Sequence, residues 1–328
     1  MKSKALVFSQ FGKPGDVLQL EDMETREPGK GEVLVKMLAA SINPSDLGTI
    51  GGSYGALPEL PAVGGLEGVG EVTEVGEGVE GLVAGDRVRM PSGHGVWRTH
   101  LVCRAEELEK APGDIPVEQV AMAAVNPLTA ELLVGNLVGK DGWIVQNAAN
   151  SAVGIAVIQI AKSLGIRTAN LVRREELVKP LQELGAKHVF LDNEEAVKAV
   201  RELGGQHGLP TIGLNAVGGE SAYRMTKMLA KNGQHITYGA MTSEPVRFPT
   251  RYLIFDNIRF TGFWVTRWRK EASAEAIREH EERVYRYFRE GILNLPVEAT
   301  YPLESFREAL EHNAKPRLGK ILFKPVKE

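Results

Sequence analysis

One cysteine is all this chain has, and Cys103 alone can form neither an intramolecular disulfide nor a zinc site built from several thiolates. A basic excess is also missing. The 39 lysines and arginines against 42 aspartates and glutamates leave a formal charge of −3, which is not the balance of a nucleic-acid binder. No apolar run approaches the roughly 20 residues that would span a bilayer. Met1-Lys2-Ser3-Lys4 leads into an apolar run too short for a signal-peptide core. The seven histidines are scattered, and no pair has metal-ligand spacing with a third ligand in view. Repeats and low-complexity segments are absent. These absences predict a reduced, cytoplasmic protein that engages neither nucleic acid nor membrane. The 328 residues, 43% hydrophobic and 25% charged, have an ordinary globular composition with room for about two domains.

Glycine and proline crowd the stretch from Pro28 to Gly95, between short β-rich runs. Val33–Met37 and Gly70–Val75 read as strands, and Gly85-Asp86-Arg87-Val88 as a turn into another. The pattern changes near residue 117. Val117 to Val138 reads as helix, interrupted near Asn126-Pro127. Strands and helices then alternate, with strands expected at Gly142–Gln146, Thr168–Val172, His188–Leu191, Thr211–Val217, His235–Gly239 and Arg259–Trp264. Such alternation predicts a doubly wound parallel sheet covered by helices on both faces. After Trp268 come a charged helix, Glu271 to Gly291, a second helix from Glu304 to Asn313, and a strand, Gly319–Phe323. This tail is expected to pack back on the first region. The predicted organisation is a catalytic domain of residues 1–118 and 269–328, interrupted by a dinucleotide-binding domain of residues 119–268.

The segment Val145–Gly154 joins the first of these strands to its helix. Small residues suit a backbone that turns tightly against a pyrophosphate, and a helix start offers free N–H groups to that anion. Only Gly154 is a glycine, however, and a plain structural turn would suit the same residues. Asn150, Ser151, Ala152, Val153 and Gly154 are the candidate contacts. The second strand ends at Val172, and Arg173-Arg174-Glu175-Glu176 follow. Arginine at this position favours a 2′-phosphate, because a guanidinium makes forked, charge-assisted bonds to phosphate oxygens. NADPH is therefore the expected cofactor, with Arg173 and Arg174 as its readers. The competing possibility is a solvated Arg173 beside glutamates that favour a helix start.

These residues resemble the medium-chain dehydrogenase/reductase superfamily over essentially the whole chain. Gly64-Gly65-Leu66-Glu67-Gly68-Val69-Gly70, Gly85-Asp86-Arg87-Val88, Asn147–Gly154 and Gly319-Lys320-Ile321-Leu322 carry the resemblance. It implies a β-rich GroES-like catalytic domain beside a Rossmann domain. Zinc alcohol dehydrogenases of the superfamily ligate their metal with a cysteine and a histidine. Here Ser41-Ile42-Asn43-Pro44-Ser45-Asp46 and Leu66-Glu67 stand at the corresponding places, so the chain resembles a zinc-free branch and no metal is expected. Within that branch it is similar to the 2-enoyl thioester reductases, on Gly52–Gly65, Val125-Asn126-Pro127-Leu128-Thr129-Ala130, Gln146–Ser151 and Gly262–Trp268. Ala152 departs from that group, where glycine is common.

The resemblance implies NADPH-dependent reduction of the C=C bond of a 2-enoyl thioester of coenzyme A or acyl carrier protein. Hydride reaches the β-carbon, and charge builds on the thioester oxygen as an enolate. A hydrogen-bond donor must meet that oxygen. The resemblance assigns this role to Tyr54 and gives Asn43 a contact with substrate or nicotinamide. It adds Asn126, Thr129, Tyr238, Gly239, Ala240, Met241, Phe263, Trp264 and Lys320 as cofactor contacts, and it suggests a homodimer. Phe263 and Trp264 equally suit a core or a dimer interface. A quinone or enone reductase on the same scaffold and a non-catalytic NADPH-binding protein remain as alternatives. Acyl chain length and pathway are not legible.

Overall fold

The computed structural model describes residues 1–90, 93–135, 142–242 and 244–326. The chain forms two units, Met1–Ala124 with Leu295–Glu328, and Val125–Asn294. In chain order the first unit carries β1 (Lys2–Phe8), β2 (Gln19–Glu24), β3 (Glu32–Ser41), β4 (Ala62–Val63), β5 (Gly68–Val75), β6 (Arg87–Arg89), β7 (His100–Arg104) and β8 (Glu109–Lys110). The second unit carries β9 (Trp143–Gln146), β10 (Arg167–Val172), β11 (His188–Leu191), β12 (Ile212–Asn215), β13 (Gln234–Thr237) and β14 (Arg259–Gly262). β15 (Val297–Tyr301) and β16 (Lys320–Phe323) complete the first unit. The fold is therefore α/β with a discontinuous β-rich domain.

In the first unit a three-stranded sheet, β2-β1-β4, accompanies a seven-stranded sheet, β15-β16-β3-β5-β6-β8 with β7 on β3. One core unites them, with Leu6, Val35, Met37, Trp97, Leu303 and Phe323 all but sealed from solvent. Burying such side chains contributes about 1.5–3 kcal/mol each. The Trp97 indole meets Phe323 edge-on, with centroids 5.2 Å apart. It lies so close on the Gly64-Gly65 turn that a Cβ there would sit 2.5 and 2.4 Å from the ring, and Gly65 has φ +93°. Glycine is required at both positions.

In the second unit all strand pairs are parallel, in the order β11-β10-β9-β12-β13-β14. Numbered within the sheet this is 3-2-1-4-5-6, the doubly wound order, with its switch point between β9 and β12. The six expected strands are all present, one of them, His188–Leu191, with the expected bounds and the others within two residues at either end. The interrupted helix is two helices, Val117–Met122 and Asn126–Gly135; its expected end at Val138 lies outside the described residues. The domain boundaries differ from expectation. They fall at 124/125 and 294/295 rather than 118/119 and 268/269. The cause is the charged helix, Ala274–Arg289, which buries Val284, Tyr285, Tyr287 and Phe288. Fully buried Glu131 of the Asn126–Gly135 helix accepts from Arg283 Nη1 at 2.7 Å and meets His280 Nδ1 at 2.6 Å, tying that helix into the second unit.

His235 on β13 is fully buried. Its ring nitrogens lack a hydrogen bond of normal geometry; the Ala222 backbone is near but badly placed. Burial pushes its pKa down to about 4. The folded chain thus prefers the neutral ring, while an unfolded histidine titrates near 6.5. The neutral ring's advantage is intact above pH ~6.5 and is lost as the pH falls through about 4. A His235→Leu variant should lose about 3 kcal/mol less stability than wild type between pH 7 and pH 4. Denaturant unfolding at the two pH values measures this, and equal losses would remove His235 from the account.

Candidate active site

In the second unit the switch point is stitched by amides. Asn147, just after β9, donates from Nδ2 to Asn215 Oδ1 and Ser221 Oγ, both at 2.8 Å. Its Oδ1 accepts from Ala216 N, also at 2.8 Å. Ala148 then takes φ +46° to reverse the chain. Ser151 caps the Ala152–Ser163 helix by accepting from Gly154 N at 3.1 Å. A Cβ on Gly154 would stand 2.6 Å from Ala149 O and 2.7 Å from Ala149 Cα, so only glycine lets the turn close. Among the described residues, the N–H groups of Ala152 and Val153 have no intramolecular acceptor. Two unspent donors at the positive end of a 12-residue helix are what a pyrophosphate needs. Asn150, Ser151 and Ala152 are partly exposed there, while Val153 and Gly154 are buried and offer backbone alone. The substitution at Ala152 leaves this start intact.

The Tyr238–Met241 turn belongs to the same end of the sheet. Tyr238 N and Met241 N donate to Asn215 O and Ala216 O, each at 2.9 Å, and Gly239 packs on Ala216. The Tyr238 hydroxyl is buried near Ser151 without a hydrogen bond of good geometry, and burial pushes its pKa up. A buried hydroxyl lacking a partner beside an open helix start is a group that a bound ligand would satisfy. Ala240 and Met241 are exposed. Phe263, whose N–H donates to Thr237 O at 2.9 Å, and Trp264 follow the carboxyl end of β14 and are half-buried. Asn126 and Thr129 are buried in the first turn of their helix. Arg173 is exposed and has no ion-pair or hydrogen-bond partner among the described residues. Arg174 pairs with Glu176 at 3.1 Å. The residues present fit a phosphorylated dinucleotide. Asn147 and Asn215 were missed as site residues; the signal was an asparagine at the carboxyl end of each apolar strand flanking the switch point, just after β9 and as the last residue of β12.

In the first unit the Pro44–Ile50 helix leads into the Tyr54 loop. Ser53 N and Tyr54 N both donate to Gly48 O, at 2.9 and 3.2 Å, and the half-buried Tyr54 side chain lies over Gly48. Asn43 is the residue just before this helix. It is 1% exposed, its Nδ2 donates to Ser41 Oγ (2.8 Å) and Glu67 Oε1 (2.7 Å), and its Oδ1 accepts from Lys320 Nζ. Both amide N–H groups and the amide oxygen thus have partners inside the unit. Lys320 is also buried, and donates to Ile42 O at 2.6 Å. Burial pushes its ammonium down and the Asp46 carboxyl up, with Glu67 adding to the latter. Cys103 is buried, and burial pushes its thiol up to about 12, which makes it inert.

A 3-2-1-4-5-6 sheet with an anion-ready helix start, in a chain that also carries a β-rich unit with a tyrosine loop, defines a dinucleotide-dependent oxidoreductase of two domains. Residues 29–113 match the alcohol dehydrogenase GroES-like domain, and residues 152–282 match the zinc-binding dehydrogenase family. The mitochondrial enoyl-[acyl-carrier-protein] reductase of Xenopus tropicalis is 41% identical over 331 residues, covering 98% of this chain and 94% of its own. Among solved structures, a complex of Etr1p with NADP and crotonyl-CoA superposes with a TM-score of 0.91 at 30% identity, covering 99% of this chain and 100% of its own. The mitochondrial 2-enoyl thioester reductase Etr1p/Etr2p heterodimer of Candida tropicalis matches with the same TM-score of 0.91, identity of 30% and coverages of 99% and 100%. The chain belongs to the medium-chain dehydrogenase/reductase superfamily, and within it to the 2-enoyl thioester reductases.

These relatives correct the cytoplasmic expectation, because they are named as mitochondrial proteins. The physical reason is plain. A single cysteine excludes an intramolecular disulfide in any compartment, so it cannot separate cytoplasm from mitochondrion. Among the described residues no helix is long and apolar enough to cross a membrane.

Proposed function

We infer that this chain is an NADPH-dependent oxidoreductase that reduces the C=C bond of 2-enoyl thioesters. The observation that carries this is likeness over the whole chain, 41% identity across 98% of it, to a protein named for that reaction. When bound, NADPH supplies the hydride that adds to the β-carbon. The residues of the chain do the rest. The N–H groups at the start of the Ala152–Ser163 helix hold the pyrophosphate, and Arg173 and Arg174 hold the 2′-phosphate. Tyr54 donates its phenolic hydrogen to the thioester oxygen, where enolate charge develops, and so lowers the barrier to hydride addition. A proton then completes the α-carbon.

The assay follows NADPH absorbance with crotonyl-CoA and, in parallel, with 1,4-benzoquinone, with NADH as cofactor control. Turnover of the thioester with NADPH preferred is expected. Turnover of the quinone alone would overturn the substrate class, and binding of NADPH with no turnover would favour the non-catalytic alternative.

The relatives' names support extending the thioester to acyl carrier protein, and we propose fatty acid metabolism as the setting. We infer a homodimer as well, paired through β14. This strand is the edge of its sheet, and an open edge invites pairing. The neighbouring Thr250–Ile254 helix and its flanks expose Phe248 (57%), Ile254 (64%) and Phe255 (72%), an apolar surface of the kind that interfaces cover. Sedimentation equilibrium should give twice the chain mass, and a Phe255→Glu variant should shift it towards monomer. A wild-type monomer at micromolar concentration would end this inference.

A further inference from the structure

The tyrosine loop hangs from a helix that cannot hold its own position. Pro44–Ile50 has seven residues, well below the length at which a helix is stable by itself in water. Its direction must come from tethers. At its far end the tether is to the tyrosine, since Gly48 O accepts from Ser53 N and Tyr54 N, and Gly52 N donates to Thr49 O at 3.1 Å. At its near end the tether is Asp46. One carboxylate oxygen accepts from Asn43 N at 2.6 Å, and the other from Leu66 N at 2.7 Å. The second bond reaches across to the turn whose Gly64 and Gly65 lie under Trp97. Asp46 is 1% exposed, so both bonds form away from water, where losing one leaves a buried donor unsatisfied. Below it, Glu67, Asn43 and Lys320 close a second ring of bonds between this turn, the helix start and β16.

We propose that Asp46 is a positioning residue for Tyr54, acting through the Pro44–Ile50 helix. It rests on the assignment of Tyr54 as the donor to the thioester oxygen. The carboxylate fixes where the helix begins, the helix carries Gly48, and Gly48 O holds the backbone of the tyrosine. A donor displaced by a fraction of an ångström stabilises the enolate less, and misplacement of about 1 Å can cost 10²-fold in rate.

The test is a double-mutant cycle. Asp46→Asn keeps the shape but turns one acceptor into an NH₂ facing a backbone N–H. Steady-state turnover of crotonyl-CoA should fall by ~10- to 30-fold. The affinity for NADPH, read by fluorescence titration, should hold. In a Tyr54→Phe background the same substitution should cost less than about twofold, because the group it positions is gone. An equal loss in both backgrounds would make Asp46 merely structural and overturn the proposal, and so would full activity of Asp46→Asn alone. If the asparagine variant fails to fold, Asp46→Glu keeps charge and acceptors while moving them by one methylene, and the same non-additivity is expected of it. Full turnover in Tyr54→Phe would instead sink the role of Tyr54 itself, so the two failures are distinguishable.

Discussion

A Tyr54→Phe variant is expected to reduce crotonyl-CoA some 10²- to 10³-fold more slowly than wild type while binding NADPH as before. The magnitude is that of deleting one preorganised donor from a site where negative charge develops. The substitution is narrow. The ring stays over Gly48, the bond from the Tyr54 N–H to Gly48 O remains at 3.2 Å, and only the hydroxyl is lost. The dinucleotide groups, from Ala152 to Arg174, lie in the other folding unit, so cofactor affinity should not follow turnover down. An interaction made chiefly in the transition state lowers kcat and kcat/KM together, whereas one made equally in the ground state raises KM alone. Steady-state kinetics with varied crotonyl-CoA therefore separates the two roles. Wild-type kcat would remove Tyr54 from the chemistry, and a rise in KM alone would leave it a substrate anchor.

The second unit was legible because its strands are short apolar runs punctuated by amphipathic helices. His188–Leu191 was read to the residue, and the others within a few positions. Where the sequence misled, charge was the reason. The Ala274–Arg289 helix looks like a solvated element, yet it buries Val284, Tyr287 and Phe288, and its His280 and Arg283 close on a carboxylate 149 and 152 residues earlier in the chain. No local pattern encodes such a partner. The three-stranded sheet escaped notice because β2 is almost wholly exposed and polar. The polar network around Asp46, Glu67 and Lys320 was hidden for the same reason. Isolated charges in a sequence read as surface, and here their partners lie up to 278 residues away. Arg173 is nominated by its place at a strand end, and Tyr54 only by resemblance to a family. The internal partners of Asn43 were not legible either, since they depend on Lys320 and Glu67 arriving from elsewhere.

Replacing both Arg173 and Arg174 by alanine should lower kcat/KM for NADPH by about 100-fold and leave NADH use nearly unchanged. Hydrogen bonds to charged groups contribute about 1.5–3 kcal/mol each, and every 1.4 kcal/mol is about tenfold. The pair together thus accounts for roughly two orders of magnitude even at the low end. The larger share belongs to Arg173. It is exposed without a partner among the described residues and gives up nothing on meeting a phosphate. Arg174 must release Glu176, 3.1 Å away, but a surface ion pair of this kind contributes at most about 1 kcal/mol. The advantage for NADPH should also shrink as salt rises, because the Debye length shortens from about 8 Å at physiological ionic strength to about 3 Å at 1 M and the attraction between exposed guanidinium and phosphate weakens with it. The comparison with NADH makes the test sharp. The two cofactors differ only in the 2′-phosphate, so a loss confined to NADPH assigns the arginines to that group. Equal losses for both would mean that the double substitution had disturbed the end of β10, and the preference for NADPH would have to come from elsewhere in the unit.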